Sequence, residues 1–264
     1  MYSQHFTFET GAPAAVITRV SDTEWHAEVD GRVVGNGDVT RRPDGRLFVS
    51  VDAWHATVFD QLADAMRAEL SRPLYTVVDE VETDLIASWR RAGFTRGRRE
   101  WEYSVPTDPE VTGLDTTAAP GITIVAAGTA AEDPLRELDR VIRAEVEATV
   151  GWHNMPAEVL CRGDGDTIVD PSKYAVAMRR GRYVGLIRVV RATRRPRIGL
   201  IAVRAEEQRA GVARALLAHA LDRLHRDGIG PAYAEVNESN TAATALFDGI
   251  GAQRVGGNLE LVLP

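Results

Sequence analysis

Residues 198–217 carry the pattern with the clearest chemical meaning. An apolar run ends at Val203 and a polar turn follows. Then Gln208, Arg209, Ala210, Gly211, Val212, Ala213 and Arg214 open a segment whose Leu216, Leu217, Ala220, Leu221 and Leu224 share one helical face. Two small residues, Gly211 and Ala213, at a helix start let a ligand approach the backbone closely. N–H groups there lack intrahelical partners and the helix dipole favours an anion, so a pyrophosphate fits. The turn has neither the Gly-Lys-Ser/Thr of a Walker loop nor the GxGxxG of a dinucleotide fingerprint. Taken alone, a plain strand-to-helix turn with an incidental glycine explains it equally well.

A second constellation follows downstream. Glu235 stands near the end of an expected strand, then come Asn240, Ala243, Phe247 and Gly251. The elements that must position both constellations occur twice along the chain. In the first half, strands are expected over 25–29, 33–39 and 46–51, then a helix over 59–70, a strand over 74–78, a short helix over 84–92 and an extended stretch over 98–105. In the second, the same order runs 174–178, 183–190, 197–203, 212–226, 232–236, 241–248 and 258–263. Each first pair of strands is joined by a tight turn, Asp30-Gly31-Arg32 and Arg180-Gly181-Arg182. The second half also begins with an amphipathic helix over 134–150, with Leu135, Leu138, Val141, Ile142 and Val146 in register. The first half has only about twenty residues before its first hairpin, so the counterpart is expected to be missing or much reduced. Between the halves, residues 104–121 are rich in Pro, Thr, Gly and Asp and lack periodicity. The expected division is a domain over 1–106, a linker over 107–121 and a domain over 122–264. Alternating strands and helices define the fold class as α/β, two tandem units, each a mixed sheet flanked by helices, the first one truncated.

Composition narrows the function classes. The chain has 264 residues, 44% of them hydrophobic and 26% charged, which suits a globular protein of one large or two small domains. The net charge of −7 argues against nucleic-acid binding through the whole surface. No apolar run is long enough to span a bilayer and the first residues do not read as a secretory signal, so a cytoplasmic location without membrane contact is expected. Cys161 is the only cysteine, which excludes an intrachain disulfide and a Cys-based zinc cluster; no metal is expected, and Cys161 reads as a small buried hydrophobe.

Together, the two constellations resemble the GCN5-related N-acetyltransferases (GNAT). Their acyl-CoA loop, Arg/Gln-x-x-Gly-x-Gly/Ala, is matched by Gln208, Gly211 and Ala213. Their next motif, a strand followed by Asn, then Ala three later, an aromatic seven later and Gly eleven later, is matched by Asn240, Ala243, Phe247 and Gly251. The resemblance covers residues 122–264 well and 24–106 more weakly. It implies acetyl-CoA as the acyl donor and direct transfer to an amine in a ternary complex. The loop from Arg209 to Arg214 would hold the pyrophosphate with main-chain N–H groups. Arg209 and Arg214 would either add charge or be ordinary solvated arginines. The strand ending at Val203 would splay from the next one, its Val203 N–H facing the acetyl carbonyl, and Asn240 would bond the pantetheine arm. Glu235, at the spacing seen before the Asn in some enzymes that acetylate protein N-termini, would be the general base; an ordinary exposed strand carboxylate is the competing reading.

At one mechanistic position the sequence departs from the family. The aromatic is often a Tyr that protonates the leaving thiolate, and Phe247 has no proton to give. Ser239, Tyr174 or a water would have to act instead, or the thiolate leaves unaided. The amine pocket is expected where the extra helix meets the loop after it, with Glu145, Trp152 and His153 suited to a cationic amine; a capped helix end is the plainer reading, and His153 is a second base candidate. Asp164, Asp166 and Asp170 flank glycines and read as solvated turns.

The first half keeps the pattern but not the loop. If Val51 answers to Val203, Phe59 stands where Gly211 does, and Glu82 and Trp89 replace Asn240 and Phe247. This half is therefore expected to be a degenerate GNAT-like domain that packs on the active half, shapes its pocket or pairs two copies as a homodimer. The layout resembles tandem GNAT proteins such as mycothiol synthase. The acceptor expected first is a small-molecule primary amine. A protein or peptide N-terminus is the second reading, and a catalytically silent acyl-CoA-binding protein the third.

Overall fold

The computed structural model describes residues 15–42, 44–115, 120–149, 151, 169–191 and 195–264. Within them the expected elements form in the expected order. The first half contains β1 (Val16–Arg19), β2 (Glu24–Val29), β3 (Arg32–Arg41), β4 (Leu47–Ala53), α1 (Ala56–Glu69), β5 (Leu74–Asp79), α2 (Thr83–Arg91) and β6 (Thr95–Val105). The second contains α3 (Pro109–Thr112), β7 (Ile122–Val125), α4 (Glu132–Glu147), β8 (Tyr174–Arg179), β9 (Arg182–Val190), β10 (Arg197–Val203), α5 (Val212–Arg226), β11 (Ala232–Asn237), α6 (Thr241–Asp248) and β12 (Gln253–Leu263).

The chain folds into two compact units that do not follow the expected linear division. One holds residues 1–99 and 256–264, the other residues 100–255. Strand pairing is the reason. In the first unit, Asn258–Leu263 of β12 pair antiparallel with β5, in the order β1-β2-β3-β4-β5-β12. In the second, Glu100–Val105 of β6 pair antiparallel with β11, in the order β6-β11-β10-β9-β8-β7. Each sheet is thus completed by the last strand of the other half of the sequence. Within each unit the pairs are antiparallel except β4/β5 and β10/β11, so the fold is mixed α/β as expected. The expected linker also differs. Asp108 caps α3 by accepting from the Glu110 N–H at 2.9 Å, Pro109 opens the helix, and Thr107, Thr112 and Leu114 are buried, so this stretch is built into the second unit.

In the second unit, α5 and α6 cover one face of the sheet and α4 the other. Leu216, Leu217, Leu221, Leu224 and Phe247 pack on the first face; Leu135, Leu138 and Ile142 pack with Val176 and Leu186 on the second. In the first unit, α1 and α2 share a core with Trp25, Val49, Leu74 and Leu261.

Two glycines fix the correspondence between the units. A Cβ on Gly185 would meet Val212 Cγ1 at 3.0 Å, Leu216 Cδ1 at 3.2 Å and the Ala202 carbonyl at 3.2 Å. A Cβ on Gly35 would meet Val58 Cγ1 at 3.0 Å, Leu62 Cδ1 at 3.0 Å and the Asp52 carbonyl at 3.1 Å. Both glycines let a helix lie against the sheet, and both face the last residue of the next strand, Val203 for Gly185 and Ala53 for Gly35. Ala53 therefore answers to Val203, Thr57 to Gly211 and Phe59 to Ala213. This corrects the alignment of Phe59 with Gly211. The strand-to-helix turn is shorter in the first unit, with residues 54–56 where the second has 204–210, and spacing counted along the sequence could not show the deletion.

Phe59 is buried and meets Trp89 edge to face at 5.0 Å, and Trp89 meets Phe94 at 4.7 Å. Phe59→Ala should cost the first unit about 3–5 kcal/mol through lost burial and the cavity left behind. Urea unfolding followed by hydrogen exchange in α1 and α2 measures it.

Candidate active site

The site is built from the second unit alone. β10 and β11 run parallel but pair only at Arg197↔Tyr233 and Ile198↔Ala234, and beyond them the strands separate. A register shift on β10 between Ile198 and Leu200 marks the start of the opening. On its other edge β10 stays paired with β9 through Val203↔Gly185, and the Arg204 N–H donates to the Val184 carbonyl at 3.0 Å. Antiparallel pairs alternate between bonded and non-bonded, so the Val203 N–H points away from β9 into the opening. Main-chain donors with no sheet partner thus face the cleft.

The turn after Val203 is held from several sides. The Gln208 side-chain amide donates to the Val203 carbonyl at 3.3 Å, Arg179 pairs with Glu207 at 2.7 Å, and the Ala205 N–H donates to Glu145 Oε2 at 2.8 Å. Arg209 and Gly211 both adopt positive φ, +63° and +82°. Gly211 is the N-cap of α5, and no side chain caps that helix. The amides of Val212, Ala213 and Arg214 are then left for a ligand, with the dipole behind them. Arg209 and Arg214 form no ion pair among the described residues. Gly211→Val forces a β-branched residue into the left-handed region. It should weaken coenzyme A binding at least tenfold with the far-ultraviolet dichroism unchanged, as titration calorimetry would read.

The cleft between the separated strands is lined by Ile198, Leu200, Ile201, Glu235, Asn240 and Phe247, with Glu100 of β6. Asn240 is the N-cap of α6, its Oδ1 accepting from the Ala243 N–H at 3.0 Å. Its amide nitrogen donates to no partner among the described residues. Glu235 is partly exposed and its Oε2 accepts from Arg197 Nη1 at 2.9 Å. Arg197 was not expected from sequence, and neither was Glu100, which belongs by sequence to the first half. Glu100 lies opposite Asn237, and Glu102 opposite Glu235.

Phe247 is buried and stacked on Tyr103 at 5.5 Å. Tyr103 does not replace the missing acid. Its hydroxyl donates to Asp248 at 3.0 Å and accepts from Arg254 at 2.8 Å, and burial raises its pKa. Tyr174 lies in the core on the α4 side, its pKa also raised by burial. Ser239 is tied to Asn237, its hydroxyl donating to Oδ1 at 2.8 Å. Glu145 accepts from the Ala205 N–H and so pins the turn. Trp152, His153, Cys161, Asp164 and Asp166 lie outside the described residues, and Asp170 caps a short turn by accepting from the Ser172 N–H at 3.0 Å.

The parallel strands β10 and β11 part beside the uncapped start of α5. Residues 166–259 match the family of the acetyltransferase (GNAT) domain. Over 51 residues the chain is 45% identical to the [ribosomal protein bS18]-alanine N-acetyltransferase of Escherichia coli K12, with the same figures for that of Shigella flexneri. That stretch is 19% of this chain and 34% of the relative, so the chain spans about a third of the curated relatives it matches. A GCN5-related N-acetyltransferase from Sphaerobacter thermophilus superposes with a TM-score of 0.63 at 17% identity, over 93% of this chain and 82% of that one. A tandem GNAT protein from the clavulanic acid biosynthesis pathway gives 0.63 at 15% identity, over 96% and 84%. Both likenesses are of fold. Among the described residues, no helix is long and apolar enough to cross a membrane.

Proposed function

We propose that the second unit is an N-acetyltransferase that moves the acetyl group of acetyl-CoA to a primary amine by direct attack. The observation that carries this reading is the parting of β10 and β11 beside an uncapped α5 within the matched domain. The pyrophosphate would lie on the amides of residues 209–214, and the pantetheine arm would run past Asn240 and Phe247. The acetyl oxygen would accept from the Val203 N–H, which stabilises the charge developing there. Glu235 takes the proton the amine must lose as its nitrogen bonds to the carbonyl carbon. The C–S bond breaks and the thiolate leaves, to be protonated by water, since Phe247 cannot do so.

The first unit is read as a copy without an acyl-CoA site. Its turn is shorter, and the Phe59–Trp89 contact occupies the places of Ala213 and Phe247. Glu100 of β6, which lines the cleft, belongs to the second unit.

The acceptor proposed first is a small-molecule amine. A peptide N-terminus is the second reading, favoured by the match to an alanine N-acetyltransferase and by the place of Glu235 before Asn240. A thiol-release assay on the full chain with acetyl-CoA, a panel of small amines and a panel of peptides tests both. Release with small amines supports the first reading, and release with peptides alone supports the second. Tight coenzyme A binding without turnover on either panel rejects the enzyme.

A further inference from the structure

A second cavity in the 100–255 unit lies along the later turns of α5, apart from the acyl cleft. Its volume is about 180 Å3, comparable with the ~150 Å3 apolar cavity that takes up benzene. The floor is apolar, with Ala175, Ile187 and Ala220, and the rim carries Lys173, Arg191, Arg223 and His219.

The first unit shows what this space holds when it is filled. The paired turns at Gly31 and Gly181 and the pairs Ala27↔Gly35 and Ala177↔Gly185 align Trp25 with Ala175. The helix correspondence set by Val58 and Val212 aligns Ala65 with His219, Met66 with Ala220 and Glu69 with Arg223. Trp25 is fully buried, and its indole N–H donates to Glu69 Oε2 at 3.2 Å. In the second unit the indole is missing, the Met above it is Ala, and the carboxylate that met the indole is a guanidinium. Gly37 becoming Ile187 returns part of the lost volume and leaves a ring-sized gap.

Two of the rim cations are already paired with carboxylates. Arg191 pairs with Asp227 at 2.7 Å and Lys173 with Asp170 at 3.3 Å, and Arg226 pairs with Asp222 beside His219. Arg223 forms no ion pair among the described residues. Where the first unit offers a carboxylate to an N–H, the second offers donors to an anion.

We propose that this cavity binds a planar aromatic ligand carrying a carboxylate, the ring lying in the place of the Trp25 indole and the carboxylate on Arg223 and its cationic neighbours. Such a site is distinct from the acyl cleft and does not depend on the proposed reaction.

Titration calorimetry and amide chemical shifts on the full chain, with indole-3-acetate as the probe, test it. Indole-3-acetate should bind one to one, shift the amides of Ala175 and Ala220, and keep its affinity in saturating coenzyme A. Neutral indole should bind about tenfold more weakly, and Arg223→Glu should weaken indole-3-acetate by a similar factor. Ala175→Trp should abolish binding, because the chain then supplies its own ring as the first unit does. If that variant fails to fold, Ala220→Met closes the same space and is expected to lose binding. No binding at millimolar probe, competition by coenzyme A, equal affinity for indole, or undiminished binding to the filled variant would each overturn the proposal.

Discussion

Ala213→Phe is expected to abolish acetyl-CoA binding while the protein stays folded. The first unit already carries this residue at the corresponding place, where Phe59 meets Trp89 across α1 and α2. In the second unit a Phe at the start of α5 would lie toward Phe247 and across the amides of Val212 and Arg214. A ring there removes the close approach that Ala213 allows and fills the path of the pantetheine arm. A loss of at least about 100-fold in affinity, about 2.7 kcal/mol, is expected in titration calorimetry. The denaturation midpoint should change little, because two apolar rings in contact replace an open cleft. Undiminished binding would remove coenzyme A from this turn.

Glu235→Gln should lower kcat by about 10²- to 10⁴-fold, the usual contribution of a positioned general base. Only a carboxylate accepts the proton, so a general-base role gives the wild-type kcat/KM profile an acid limb that depends on this side chain. The Gln variant has no such group, and that limb should disappear from its profile. A weakly basic acceptor keeps the amine's own protonation out of the range. Coenzyme A affinity should be unchanged, which separates a chemical role from a packing one. A limb that survives in the variant would assign the base elsewhere. Arg197 gives a companion test: it holds Glu235 at 2.9 Å, so Arg197→Met should change kcat more than the KM for acetyl-CoA.

The sequence made the order of elements legible because each strand and helix carries its own period and punctuation. Helix α5 begins and ends at the expected residues, since Gly211 starts it and its Leu stripe is unbroken. Asn240 and Phe247 could be placed for the same reason. Local patterns do not encode which distant strand a strand will pair with. The exchange of β6 and β12, the arrival of Glu100 in the cleft and the pairing of Arg197 with Glu235 all depend on sheet order. The shortened turn of the first unit also escaped, because a deletion is visible only once Gly35 and Gly185 are superposed. α3 could have been found, since Asp108-Pro109 is a helix start and Gly113 a left-handed stop. The bond from the Ala205 N–H to Glu145 also escaped, because it depends on where the turn after β10 meets the end of α4.

Because Asn258–Leu263 complete the sheet that β5 belongs to, that sheet stays one strand short during synthesis until almost the whole repeat pair has left the ribosome. Residues 1–99 made alone would expose the unpaired edge of β5 and one side of the Leu74–Leu261 core. Cutting the gene between the repeats should therefore yield two sticky, mutually dependent fragments that regain solubility when expressed together.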